Sequence, residues 1–293
     1  MMMVLLKLKN KIKNTSVFNK IKKTTLYHNL SKYRRMPQPL HIYLTLDCTL
    51  KCPYCVNEFN SKNSSIKKQD IASAEDWVDF INKCKTRIIF TGGEPTLHPE
   101  IIQIINGINR KLPIQIYTNF CWPEGVLEKF IKNVKRPVKF YGSYHVCSGK
   151  PERVINTMNE LRRNNLFDGV VHSTETKENA SFLKEASKEF KKNGWHLIID
   201  KNQFEKGYPA ASMKFKKRAR CSGKEVLFAP NGDFYPCTSK LIRQKNPLGN
   251  AFGDAKVQDN FSIICNEYGF CSPCDCGGSK KMSVLEPSKA LRH

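Results

Sequence analysis

His41-Ile-Tyr-Leu-Thr-Leu46, followed one residue later by Cys48-Thr-Leu-Lys-Cys52-Pro-Tyr-Cys55, is the stretch from which the rest of the chain can be read. The first six residues are β-branched, aromatic and aliphatic, the composition of a buried strand. Three cysteines on the loop that leaves this strand put three thiols on one short piece of backbone. Thiolates are the usual ligands of iron–sulfur clusters. Three of them can bind three irons of a four-iron cube and leave the fourth iron without a protein thiolate. That iron could then take substrate, just as a catalytic metal keeps an open position. A zinc site is the competing reading, with Cys52-x-x-Cys55 supplying two of its ligands.

Working outward, strands and helices alternate. Ser73–Lys85 predicts a helix capped by Ser73, with Trp77, Phe80, Ile81 and Cys84 at i, i+3, i+4 and i+7. Arg87–Phe90 predicts a second strand and Pro99–Lys111 a helix. Ile114–Thr118 and Val126–Val134 follow as strand and helix, then Val138–Ser143 and Pro151–Arg163, then Gly169–Ser173 and Glu178–Lys192, with Trp195–Asp200 as a sixth strand. Strands separated by crossover helices pair in parallel, and right-handed crossovers curl such a series toward a barrel. Six units fall short of the eight that close one. The fold class is therefore α/β, a partial (β/α)6 barrel of the TIM type, with a small cysteine-rich C-terminal module.

The domain reading is a basic arm over 1–36, a barrel core over 37–205 and a metal-supported module over 206–293. The arm contains no acidic residue, and Pro37 and Pro39 separate it from the core. It could lie on an anionic membrane surface or bind RNA, or it could be a solvated tail.

The chain has 293 residues, 49 Lys and Arg against 26 Asp and Glu, a formal net charge of +23, and 12 cysteines. A mutational bias of the genome toward lysine would explain the charge, as would nucleic acid, a membrane surface or an acidic electron-donor protein. Lysines interrupt the apolar N-terminus at Lys7, Lys9, Lys11 and Lys13, so no secretory signal forms. No apolar run has the length of a membrane span. A reducing cytoplasmic setting, with thiolates on metal rather than in disulfides, is expected.

A second signal follows the second strand. Thr91-Gly92-Gly93-Glu94-Pro95 combines glycines that allow close backbone approach with a carboxylate that can receive an ammonium group. Thr118 and Asn119 end the third strand and Ser143 ends the fourth.

Cys-x3-Cys-x2-Cys after the first strand, with Tyr54 before its third cysteine and Gly-Gly-Glu-Pro after the second strand, resembles the radical S-adenosylmethionine (SAM) superfamily over roughly residues 40–200. The resemblance implies that Cys48, Cys52 and Cys55 ligate a [4Fe-4S] cluster whose fourth iron chelates SAM. It implies reductive cleavage of SAM to a 5′-deoxyadenosyl radical that abstracts hydrogen from a substrate. It further implies that Gly92, Gly93 and Glu94 hold the methionine amino group, and that Thr118, Asn119 and Ser143 lie near its carboxylate and the ribose. Family members usually carry Gly after the Asn. Phe120 stands there in this chain, which predicts an altered turn.

Cys221-x10-Gly232-x4-Cys237 and the later Cys271-Ser-Pro-Cys274 are similar to the twitch/SPASM modules of the same superfamily, which implies a second, auxiliary iron–sulfur cluster on Cys221, Cys237, Cys271 and Cys274. Cys265 and Cys276 are spare and either could replace one of them. Pro230-Asn231-Gly232-Asp233, flanked by Leu227–Ala229 and Phe234–Tyr235, predicts a hairpin that brings Cys221 and Cys237 together. The same cysteines could instead form a structural zinc site.

Cys147 and His145 follow the fourth strand and are the candidate catalytic residues: a thiol able to return a hydrogen atom to a substrate radical, and an imidazole able to touch substrate or move a proton. His172, at the end of strand five, could do the same. Cys84 and Cys121 have no chemical role in this reading. The expected partners are a small-molecule or peptide substrate undergoing oxidation, epimerisation or rearrangement, and an acidic electron donor of the flavodoxin or ferredoxin type. An RNA-modifying enzyme of the same superfamily is the second reading, and a zinc-bound interaction protein is the reading from another class.

Overall fold

A computed structural model of the chain describes residues 38–55, 70–84, 86–167, 169–201, 217–253, 260–268 and 280–285. The described residues belong to one compact unit that begins at Gln38. The basic arm, and Cys271, Cys274 and Cys276, lie outside them.

Six parallel strands carry the core: β1 Leu40–Thr45, β2 Ile88–Gly92, β3 Ile114–Thr118, β4 Lys139–Ser143, β5 Val170–Glu175 and β6 Leu197–Lys201. Between them run α1 Ala74–Cys84, α2 Ile101–Gly107, α3 Val126–Asn133, α4 Glu152–Arg163 and α5 Ala180–Lys192. The strands lie in sequence order and every neighbouring pair is parallel. This is the partial barrel expected from the alternation.

The register separates two faces. Ile42, Phe90, Ile116 and Phe140 stand side by side and are fully buried under the helices. Burial of four such side chains stabilises the sheet–helix contact by about 1.5–3 kcal/mol each. The alternate residues, Tyr43, Thr91, Tyr117, Tyr141, Ser143 and His172, point the other way, into the barrel lumen.

Helix α1 shows why the periodicity works. Ser73 Oγ accepts from the Asp76 amide at 3.2 Å while Asp76 accepts from the Ser73 amide at 3.3 Å, a reciprocal cap. Trp77, Phe80 and Ile81 are buried, and Cys84 is half-buried against the same core. Helix α2 stops at Gly107, four residues before the expected end. Asn82 of α1 donates to the Gly107 carbonyl at 3.2 Å and accepts from the Asn109 amide at 2.7 Å. A side chain from the neighbouring helix thus takes over the hydrogen bonds that a further turn would have made.

The C-terminal segment contributes to two sheets. β8 Leu227–Phe228 and β9 Asp233–Tyr235 form the expected hairpin, with Gly232 at φ 84° and its amide donating to Ala229 at 2.9 Å. Strand β8 also pairs in parallel with β1, and β10 Gly249–Asn250 pairs with β9, so nine strands form one open sheet. The nominal boundary near residue 205 therefore does not separate the sheets. β7 Lys217–Gly223 lies between β11 Phe261–Tyr268 and β12 Lys281–Val284 in a separate antiparallel sheet. Short helix α6, Thr238–Ile242, follows β9. No helix among the described residues is long and apolar enough to cross a membrane.

Candidate active site

The cysteine loop, the glycine turn and the ends of β3, β4 and β5 enclose one cavity of about 260 Å³. Its walls include Cys48, Cys52, Cys55, Gly92, Gly93, Thr118, Asn119, Ser143 and His145, and also Tyr54, Tyr117 and Thr174. It opens at the C-terminal end of the parallel strands, where the loops are free of the ladder and can converge.

Two devices hold the cysteine loop. The Asn119 side-chain Nδ2 donates to Thr49 Oγ1 at 3.0 Å and to Cys48 Sγ at 3.6 Å, and the Leu50 backbone amide donates to Cys48 Sγ at 3.4 Å. On the other side, the Gly93 amide donates to the Thr45 carbonyl at 3.0 Å and the Glu94 amide to Asp47 at 2.8 Å. This approach is too close for any side chain. A Cβ at Gly92 would sit 2.1 Å from the Thr45 carbonyl oxygen, and one at Gly93 would sit 1.9 Å from that of Asp47.

Glu94 is fully buried and is not part of the cavity wall. Its carboxylate accepts from the Thr96 amide at 3.3 Å, Thr96 Oγ1 at 2.8 Å, Thr118 Oγ1 at 3.0 Å and the Asn119 amide at 2.9 Å. Burial pushes its pKa up, and those donors oppose the shift. The carboxylate thus ties the glycine turn to the end of β3.

The residue after Asn119, where the resemblance expects glycine, has an unusual backbone. Phe120 takes φ 56°, the left-handed conformation that glycine adopts freely. Its ring is fully buried among Phe140, Phe167 and Trp122, and it fills the space where a Cβ on Gly142 would stand, 2.2 Å away. Backbone strain of about 1–3 kcal/mol is offset by a buried aromatic ring.

Burial without a cation raises the Cys48 thiol to about 11 and pushes the Cys52 thiol higher still. Thiols of this kind are proton-bound until a metal displaces the proton. Three cysteine sulfurs on a cavity wall are a donor set suited to iron–sulfur chemistry. Among the described residues, no three His, Cys, Asp or Glu side chains close on a single ion. The buried, unpartnered Nδ1 of His145, a cavity-wall residue, leaves an imidazole nitrogen available to a ligand in the cavity. The residues present thus fit a cluster with a small polar ligand beside it.

Cys147 stands on a single 3-10 turn, Val146–Ser148, exposed, with its sulfur 3.2 Å from that of Cys52. His145 packs its ring near Tyr54, 5.8 Å between centroids, and burial lowers its pKa to about 4, so it is neutral at physiological pH. His172 is not on the cavity wall, although it pairs with Ser143, which is. Cys237 follows β9 at the start of α6, while Cys221 is on β7 in the other sheet, two ladder positions along the same face from Cys265 of β11. The other two cysteines of the proposed second cluster fall outside the described residues. Sequence inspection passed over Tyr117, Tyr141, Thr174 and Asp200. Strand parity counted back from Ser143 would have found Tyr141; Tyr117, on β3, shares that face through the cross-strand register.

Residues 42–174 match the family model described as the radical SAM superfamily. Curated relatives named GTP 3′,8-cyclase match short stretches: 28% identity over 91 residues in Rhodococcus opacus, 31% over 74 in Microcystis aeruginosa and 29% over 83 in Clostridium perfringens. These stretches are 29%, 24% and 27% of this chain and only 25%, 22% and 25% of the relatives' own length. Among solved structures, Streptococcus suis SuiB bound to S-adenosylmethionine aligns with TM-score 0.40 and 15% identity over 77% of this chain and 66% of that one. The family match spans β1 to β5, the strands whose loops build the cavity, so this part of the chain is what carries the likeness to the radical SAM superfamily.

Proposed function

We propose that the cavity holds a [4Fe-4S] cluster on Cys48, Cys52 and Cys55 with S-adenosylmethionine beside it, and that the chain is an enzyme acting on a small-molecule or peptide substrate. The observation that carries this reading is the convergence of three thiols and the Gly92–Gly93 turn on one cavity. When bound, the pair supplies an electron that splits a carbon–sulfur bond and yields a carbon radical able to take hydrogen from a substrate.

The chain's own residues have distinct tasks in this reading. Gly92 and Gly93 present backbone to the methionine ammonium group. Glu94 holds that turn against Thr118 and Asn119 rather than meeting the ligand itself, since its oxygens are already engaged. Asn119 fixes the cysteine loop, and Ser143 and Thr174 offer hydroxyls on the far wall. Cys147, exposed beside Cys52, would give a hydrogen atom to a substrate radical. A second cluster on Cys221, Cys237, Cys271 and Cys274 is part of the proposal, as is reduction by an acidic flavodoxin- or ferredoxin-type donor drawn to a chain of net charge +23.

A purine nucleotide is the second substrate reading, supported by the positive charge and by the relatives' name. Anaerobic reconstitution with iron and sulfide, followed by assay for 5′-deoxyadenosine, tests the main proposal. Iron with adenosine product supports it, whereas zinc without iron would establish an interaction protein instead. Product formed from GTP but not from metabolite or peptide pools would select the nucleotide.

A further inference from the structure

Beside the cavity, on the same face of the sheet, lies a row of side chains contributed by four consecutive strands. Tyr117 of β3 stacks on Tyr141 of β4, 4.9 Å between centroids and 27° between planes, and Tyr141 stacks on His172 of β5 at 4.6 Å and 21°. Tyr141 Oη lies 2.6 Å from His172 Nε2, and His172 Nδ1 lies 2.6 Å from Asp200 Oδ2 on β6. The register puts all of them on one face. Tyr117 pairs with Tyr141, Ser143 with His172 and Thr174 with Asp200, each an even number of residues from the next along its strand. Tyr117 is also part of the cavity wall, so the row begins at the site and runs away from it.

The tautomer with its proton on His172 Nδ1 satisfies both contacts. An ionised Asp200 accepts from His172 Nδ1–H, which leaves Nε2 as an acceptor. Tyr141 then donates its hydroxyl proton to Nε2 and keeps a lone pair for another donor. A phenol, an imidazole and a carboxylate in series, with the carboxylate orienting the imidazole, is the arrangement by which a weak nucleophile or base is activated. Burial raises the Tyr141 pKa, so the phenol holds its proton in the resting site.

We propose that Tyr141 is a catalytic proton acceptor for substrate, with His172 and Asp200 as its positioning residues. The fitting substrate carries an exchangeable O–H or N–H proton that it must lose. In the step, the substrate O–H or N–H bond breaks and a Tyr141 O–H bond forms. The original Tyr141 proton moves to His172 Nε2, and the imidazolium is held by the Asp200 carboxylate. No electron changes hands. That a substrate reaches this row rests on the function proposed above; the activation of Tyr141 does not.

N-acetylimidazole is a probe that needs no substrate. Tyr141 oxygen attacks the acetyl carbonyl, its proton passes through His172, and imidazole leaves carrying it. Reconstituted full-length protein is treated with the probe and acetylation is read residue by residue by peptide mass. Tyr117, stacked beside Tyr141 but with no imidazole on its hydroxyl, is the internal reference. General-base assistance is worth about 10²–10⁴-fold, so Tyr141 should react at least about tenfold faster than Tyr117. His172→Gln should bring it to the Tyr117 rate. Asp200→Asn, at a largely exposed carboxylate that folding tolerates, should slow it several-fold. Equal rates at the two tyrosines, or a Tyr141 rate untouched by either substitution, overturns the proposal. Cofactor cleavage by the wild-type protein is measured separately. Its absence would end the functional reading while the acetylation result still decides the relay.

Discussion

Replacing Glu94 by Gln changes one oxygen to an NH₂ and little else, which makes it a sharp test of how the site is held. The carboxylate accepts from four donors: Thr96 twice, Thr118 and the Asn119 amide. An amide can accept on one side only. Turned one way, its NH₂ faces the Asn119 amide and Thr118; turned the other, it faces the Thr96 amide and hydroxyl. Either way a buried backbone N–H loses its acceptor, which costs about 1–3 kcal/mol, and charge-assisted bonds worth about 1.5–3 kcal/mol each become neutral ones. Partial relaxation of the turn recovers some of this, and Glu94→Gln should destabilise the protein by about 2–4 kcal/mol. With a urea slope of about 1–3 kcal/mol per molar, the unfolding midpoint should fall by about 1 M or more. Because Glu94 joins the glycine turn to β3, S-adenosylmethionine binding should weaken alongside stability. Thr118→Val, which leaves the carboxylate in place and removes one donor, should show the same pair of effects at smaller size. A Glu94→Gln midpoint within about 0.3 M of wild type, with cofactor binding lost, would refute the bracing role and make the carboxylate a direct ligand contact.

Other outcomes follow from the same geometry. Full reconstitution should give about eight irons per chain if two four-iron clusters form, and Cys52→Ala should remove about half of that iron and all 5′-deoxyadenosine. Phe120→Gly relaxes the left-handed backbone but deletes a fully buried ring, and since Phe-to-small changes cost about 3–5 kcal/mol, chemical denaturation should show a net loss of about 2–4 kcal/mol; a stabilised variant would show that the strain outweighs the packing. Gly93→Ala forces a Cβ onto the Asp47 carbonyl oxygen, so iron uptake at the cysteine loop should fall, as read by iron content and the cluster's visible absorbance. His145 is held neutral by burial, with a pKa near 4 against 6.5. Below pH 6.5 the unfolded chain takes a proton that the folded one refuses, so stability is full above that pH and falls toward pH 4 by at most about 1.4 kcal/mol per pH unit. His145→Gln should flatten that part of the stability–pH curve, and an unchanged slope would show that the ring is solvated.

The sequence by itself determined what depends on near neighbours along the chain. The order of strands and helices followed from the 2.0 and 3.6 periods, helix α1 from Ser73 and its apolar spacing, and the hairpin from Asn231-Gly232. The cysteine loop and the glycine turn were visible because each is a short contiguous motif on one loop. Tertiary structure decided what depends on register between distant segments. That β8 docks beside β1 is set by hydrogen bonding to an edge 186 residues earlier, His41 to Leu227. That Phe120 takes a left-handed backbone depends on the aromatic pocket made by Phe140 and Phe167, which composition around residue 120 does not reveal. That Glu94 turns away from the cavity, and that Asp200 reaches His172, depends on which oxygen and which nitrogen meet across strands 24 and 28 residues apart. Local periodicity tells a residue which face it occupies; only the packed sheet tells it whom it faces.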